Sequence, residues 1–258
     1  MTVSFIRLTP VMAALLLNAA CTTASPTLRI AAAADLRYAL DDLIKAFRQG
    51  HGNVRIEPSY GSSGTFYSEL LNRAPFDLYL SADLEYPKKL SEQELILEGS
   101  EFTYGVGRIV VWTGRSSGID VERLKMEALR QPAVHHIAIA NPEHAPYGRA
   151  AAAAMRAMGV YDAVKDKLVL GENISQAFQL VQSGAAEVGI VALSLALAPG
   201  ASGQGRYWQV PLDAYPRIRQ GGAILKWSRN PEAAESFRDF LLAPEGRAIL
   251  NRYGFSGE

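Results

Sequence analysis

Past residue 26 the chain alternates short apolar runs with segments whose apolar residues recur three and four apart. That alternation is the pattern of strand–helix units, in which a buried strand reads as a continuous apolar run and its covering helix as one apolar stripe. Leu28–Ala34 predicts a strand and Asp35–Gln49 a helix with Leu36, Leu40, Leu43 and Phe47 on one face. Val54–Tyr60, Ser63–Leu71, Leu78–Leu80 and Tyr86–Leu90 predict strand, helix, strand and helix. Phe102–Thr113 is a long strand-like stretch with no helix in front of it. A second set follows: strand Ile137–Ala140, the alanine-rich helix Tyr147–Met158, strand Leu168–Leu170, helix Ile174–Ser183 and strand Val188–Val191. Tyr207–Val210 and Ile218–Trp227 are again strand-like, and the helices Pro231–Leu242 and Pro244–Tyr253 close the chain, each with proline where its fixed φ suits a helix start.

Two long strand-like stretches around a complete set of units predict an α/β chain in which one domain is inserted into another. The first domain would comprise residues 27–105 and 212–258, the second residues 106–211. The two crossing segments would form a hinge, and the cleft between the domains is where a ligand would bind. The competing layout is a single α/β enzyme domain with one extended sheet.

Residues 1–26 follow a different pattern. Arg7 precedes the apolar run Leu8–Ala20, which ends in Cys21-Thr22-Thr23-Ala24-Ser25-Pro26. A positive residue, a short apolar core and small residues after it describe an export signal. The run is shorter than the roughly 20 apolar residues that a membrane-spanning helix needs. Cys21 is the only cysteine, which excludes a disulfide within the chain. It stands where a lipoprotein signal places its acylated cysteine, although the leucine of Leu17-Asn18-Ala19-Ala20-Cys21 comes one place early. Lipid anchorage at Cys21 is the preferred expectation, and cleavage near Ala20 or Ala24 the alternative. Lys+Arg and Asp+Glu balance at 26 each, so no overall field points to nucleic acid. Any anion must be held by local geometry.

Four strand-to-helix turns share one design. They are Ala33-Ala34-Asp35-Leu36, Gly61-Ser62-Ser63-Gly64-Thr65, Pro142–Gly148 with Tyr147, and Gly171-Glu172-Asn173-Ile174-Ser175. Each directs backbone N–H groups from a helix start, where the macrodipole also favours negative charge. In open α/β sheets such turns lie at the carboxyl ends of strands, where ligands bind. Singly, each has an ordinary reading: Asp35, Ser63 and Asn173 as helix caps, Gly61 and Gly64 as turn formers, Tyr147 as a surface ring. Two turns from each domain could face one another across the cleft. Catalytic apparatus is missing by comparison. His51, His135, His136 and His144 have no zinc-ligand spacing, Gly61–Gly64 is not a nucleophile elbow, and no phosphate-binding glycine motif follows a strand. No residue is assigned a catalytic or cation-binding role.

Six segments in order resemble the molybdate-binding proteins of ABC importers: Ala32–Leu36, Tyr60–Thr65, Ala74–Asp83, Asn141–Gly148, Gly189-Ile190-Val191 and Tyr253-Gly254-Phe255. The resemblance implies the type II periplasmic-binding-protein fold, with two domains, each a mostly parallel sheet flanked by helices, joined by a two-segment hinge. It implies a monomer that binds molybdate or tungstate through neutral donors, needs no cofactor, and delivers its cargo to a permease and ATPase. It places Ala34, Asp35, Ser63, Tyr147 and Ile174 at the ligand, with Ser62, Asn173 and Gly148 in support. Ser63 would donate its hydroxyl, Tyr147 its backbone N–H and hydroxyl, and Ile174 its backbone N–H. Two positions depart from the family. Asp35 stands where serine or asparagine is common, and Ala192 stands where some members carry a tyrosine.

An ionised Asp35 is acceptor-only and would repel a dianion. At ~4 Å and an effective dielectric near 20, the cost is about 4 kcal/mol per charge pair. The preferred expectation is that Asp35 points away and caps its own helix. Two alternatives remain: it accepts a proton from a monoprotonated ligand such as phosphate or arsenate, or it is itself protonated when ligand is bound. A receptor-linked sensory role is a further alternative to transport.

Overall fold

The computed structural model describes residues 25–257. The expected export signal and Cys21 lie outside them. In chain order the elements are β1 (Thr27–Ala33), a 3₁₀ turn (Ala34–Leu36), α1 (Arg37–Gly50), β2 (Arg55–Gly61), α2 (Ser63–Leu71), β3 (Leu78–Ser81), α3 (Glu85–Glu92), β4 (Phe102–Gly107) and β5 (Ile109–Gly114). There follow α4 (Val121–Leu124), β6 (Ile137–Ala140), α5 (Pro146–Ala157), α6 (Tyr161–Val164), β7 (Leu168–Gly171), α7 (Ile174–Gln182), β8 (Val188–Ala192) and α8 (Leu193–Ala196). The last are β9 (Gly205–Gln209), β10 (Ile218–Ile224), α9 (Pro231–Leu242) and α10 (Pro244–Arg252).

The strands form two five-stranded sheets, ordered β2-β1-β3-β10-β4 and β7-β6-β8-β5-β9. Each has a parallel half, in which β1 pairs with β2 and β3, and β6 with β7 and β8. Each also has an antiparallel half built from the crossing segments, so both sheets are mixed. The long stretch Phe102–Thr113 is therefore two strands, one in each sheet, with Arg108 alone between them. The return crossing runs through residues 210–217, between β9 and β10.

Burial follows the apolar stripes. Leu40, Leu43 and Phe47 of α1 are shut against Leu28 and Ile30 of β1. Phe47 in turn meets Phe237 of α9 edge-on, at 5.2 Å between ring centres. In the second lobe the alanines of α5 let it lie close on its sheet. A Cβ at Gly148 would come within 2.1 Å of the Ala140 carbonyl oxygen, so glycine is what allows this helix to start over the end of β6. The one-turn helices α4, α6 and α8 have four residues each, too few for a 3.6-residue period to register in the sequence.

Candidate functional site

The turns after β1 and β2, from the first lobe, meet the turns before α5 and α7, from the second. Hydrogen bonds cross between the lobes here. Gly64 N–H donates to the His144 carbonyl at 2.9 Å. Ser175 Oγ donates to the Ala34 carbonyl at 2.8 Å, and Ser194 Oγ to the Asp35 carbonyl at 2.8 Å. Tyr147 Oη donates to Asp35 Oδ2, also at 2.8 Å. Asp35, Ser63, Tyr147 and Ile174 are all between 1% and 3% exposed, so the lobes seal this junction from solvent.

Adjacent serines divide the work at the start of α2. Ser62, not Ser63, is the cap: its Oγ accepts from Thr65 N–H at 3.2 Å. Ser63 Oγ instead accepts from Ala82 N–H at 2.9 Å, while its carbonyl accepts from Tyr79 Oη at 2.7 Å. A hydroxyl that accepts from an amide keeps its proton to give. Asn173 caps α7 by accepting from Gln176 N–H at 3.0 Å. The backbone N–H groups of Ser63, Tyr147 and Ile174 stand in the first turns of α2, α5 and α7, where no carbonyl of the same helix can reach them. Three positive helix ends thus surround the Asp35 turn.

Asp35 does not cap its helix, contrary to the expectation from sequence. No side-chain cap bond forms at this turn, and the carboxylate belongs to a buried trio. Oδ2 accepts from Tyr147 Oη and, at 2.7 Å, from Gln220 Nε2, which also reaches Tyr147 Oη at 2.9 Å. Oδ1 and Gln220 Oε1 have no hydrogen-bond partner. Burial pushes the Asp35 carboxyl up to about 6, against the opposing influence of Gln220, Tyr147 and the backbone N–H groups of Asp35 and Leu36. Burial, and then this carboxylate, hold the Tyr147 phenol well above its ordinary range. The Tyr147 hydroxyl is therefore engaged with Asp35 and does not take the place of the tyrosine missing at Ala192. Nor is Tyr147 a surface ring, being 2% exposed.

Gln220 was not legible as a site residue. Its signal was a lone amide inside Ile218–Ile224, a strand buried at every other position but Arg219. Ser175 and Ser194, which grip the Asp35 turn, look like ordinary helix-start serines. Gly107, where the first crossing begins, makes room for the trio: a Cβ there would lie 2.1 Å from Tyr147 Oη and 2.5 Å from Gln220 Nε2. At the rim, Arg149 of α5 pairs with Asp83 and reaches Tyr86 Oη at 3.3 Å, a further bridge between the lobes. Among the described residues no group of three or more His, Cys, Asp or Glu gathers where a metal cation could be held.

Residues 28–256 match the family model described as bacterial extracellular solute-binding protein. The molybdate-binding protein ModA of Azotobacter vinelandii is 36% identical over 236 residues, covering 92% of this chain and 92% of that protein. ModA of Rhodobacter capsulatus is 36% identical over 245 residues, covering 95% and 94%. Among solved structures, the periplasmic molybdate-binding protein of Azotobacter vinelandii superposes with a TM-score of 0.83 at 32% identity, over 90% of this chain and 99% of that one.

Proposed function

Since the chain belongs to the bacterial extracellular solute-binding protein family, we propose that it captures molybdate between its two lobes and presents the closed, loaded form to an ABC importer. The observation that carries this reading is the meeting of helix N-termini from both lobes at one sealed junction. Backbone N–H groups of Ser63, Tyr147 and Ile174 and the free proton of the Ser63 hydroxyl would replace the anion's hydration shell. Ala34 contributes through the turn it shares with Asp35, and Ser62, Asn173 and Gly148 hold the donors in place. Both curated relatives are named for molybdate. Tungstate, of the same shape and charge, would compete. Donors fixed in a dry site discriminate by what an ill-fitting ligand leaves unpaired.

The arrangement supports binding rather than turnover. Ser63 Oγ has an amide N–H as its partner instead of a base, and the nearby carboxylate is held by Tyr147 and Gln220. Export by the N-terminal segment, with lipid attachment at Cys21, would place the protein on the outer side of the membrane, where a monomer would serve its permease and ATPase.

Calorimetric titration of the purified protein with molybdate, tungstate, sulfate, phosphate and arsenate tests the reading. Tight binding confined to molybdate and tungstate is expected. Binding of phosphate or arsenate in place of molybdate would overturn the cargo while leaving the cleft intact.

A further inference from the structure

Asp35 poses an electrostatic problem: no cation stands among the groups that set its carboxyl. Its carboxyl is 1% exposed at the junction of the lobes. One oxygen, Oδ2, takes the Tyr147 and Gln220 donors, while Oδ1 is buried without a hydrogen bond, and Gln220 Oε1 likewise has none. The groups facing it come from every element packed there. Tyr147 comes from α5, Gln220 from β10 and Tyr104 from β4, with Tyr215 of the return crossing just beyond. Ser194 of α8 and Ser175 of α7 bond to carbonyls of its own turn. The nearest guanidinium in sequence, that of Arg37, lies over the Tyr60 ring instead, 5.0 Å from its centre. The phenols of Tyr104 and Tyr147 are held well above their ordinary range by burial, so they stay neutral. Of these groups only Asp35 can change charge near neutrality.

We propose that Asp35 couples anion capture to a proton: closing on a dianion, the protein takes up one proton from solvent on the Asp35 carboxyl, and the anion is held beside a neutral acid. This rests on the oxyanion reading above and deepens it. The proton belongs on Oδ1, the oxygen without a donor, which it converts from an unpartnered acceptor into a hydrogen-bond donor. Oδ2 keeps its bonds from Tyr147 and Gln220, so the trio retains its geometry. One positive charge enters with the dianion and no other group changes state. In the sealed arrangement burial alone raises the carboxyl to about 6, and a dianion alongside raises it further. Between those two values proton uptake approaches one per anion, and affinity falls by up to about tenfold per unit rise in pH. Asp35 thereby sets the specificity of the site for anions by charge state as well as by shape.

The test is calorimetric titration of the purified protein with molybdate at pH 6, 7 and 8, each in two buffers of different protonation heat, which counts protons. Uptake approaching one per anion at pH 7 is expected, with weaker binding as pH rises. Asp35→Asn keeps an acceptor for Tyr147 and Gln220 but no titrating group, so its binding should be independent of pH, without proton uptake, and tighter than the parent's at pH 8. Binding with no proton uptake at any pH, or uptake that persists in Asp35→Asn, overturns the proposal. Should the variant fail to fold, difference infrared spectroscopy of the unsubstituted protein decides: a protonated-carboxyl C=O band must appear on binding, and its absence overturns the coupling. If molybdate alone fails to bind, the cargo reading falls and the same proton count with tungstate or sulfate decides the coupling. Failure of all three to bind sinks both.

Discussion

The Tyr147 hydroxyl of one lobe donates to Asp35 Oδ2 of the other at 2.8 Å, with both side chains almost wholly buried. A hydrogen bond to a neutral acid, as in the loaded form, is worth about 0.5–1.5 kcal/mol. Because its partners sit on different lobes, that free energy favours the closed arrangement. Tyr147→Phe should therefore lower molybdate affinity by roughly tenfold, the equivalent of about 1.4 kcal/mol, while leaving the Tyr147 backbone N–H in place. Titration calorimetry of the variant measures this; unchanged affinity would show that the bond does not help hold the lobes together.

Gly64 offers a sharper test of closure. A Cβ at this position would stand 2.6 Å from the His144 carbonyl oxygen across the junction and 2.8 Å from Tyr86 Oη. The tyrosine hydroxyl can swing aside, but the carbonyl is backbone. Gly64→Ala should prop the lobes apart, cutting affinity by tenfold or more. Small-angle scattering should then show no compaction when molybdate is added.

The paired serines make opposite predictions. Ser62→Ala removes a cap and should cost about 1 kcal/mol of stability with affinity little changed. Ser63→Ala removes the proposed ligand donor and also leaves the buried Ala82 N–H without an acceptor, costing about 1–3 kcal/mol of stability. Its affinity should fall by at least tenfold. Urea unfolding and calorimetry on the two variants separate the roles, and equal affinity losses would refute the division.

Asp35 should leave a signature in the unliganded protein's stability as well. With the lobes sealed its carboxyl lies at about 6, against 3.8 in the unfolded chain. Between those values the folded state keeps a proton that the unfolded chain has released, so stability declines as pH rises through this window and stays lower above it. The penalty is about 3 kcal/mol. Other carboxylates titrate in the same range, so the measurement is the difference between the protein and Asp35→Asn in urea unfolding at pH 4 and pH 7. The variant should gain on the parent as pH rises.

Much of this architecture was legible in the chain. Apolar runs located the strands, and the stripe Leu36-Leu40-Leu43-Phe47 located α1, because burial on one face imposes those periods. The turn motifs and their order pointed to Ser63, Tyr147 and Ile174. What escaped were features fixed by distance in space. Nothing local distinguishes Ser63 from Ser62, since which one caps depends on where Ala82 N–H lies. Asp35 has the composition of a cap, yet its carboxyl is claimed by residues 112 and 185 positions away. Phe102–Thr113 reads as one strand because an apolar stretch carries no mark of the single residue at which it changes sheets.

That single residue has a mechanical meaning. Arg108 is all that separates β4 from β5, whereas the return path from β9 to β10 spans residues 210–217. A one-residue link has no slack, so a swing of the lobes would have its fulcrum at residues 107–108, with the longer strap following. Gly107, at that fulcrum, lies against Tyr147 Oη and Gln220 Nε2, the two donors that hold Asp35. The pivot of the motion and the clasp on the carboxyl are thus one piece of machinery, and the protein can hardly swing without altering the grip on its buried acid.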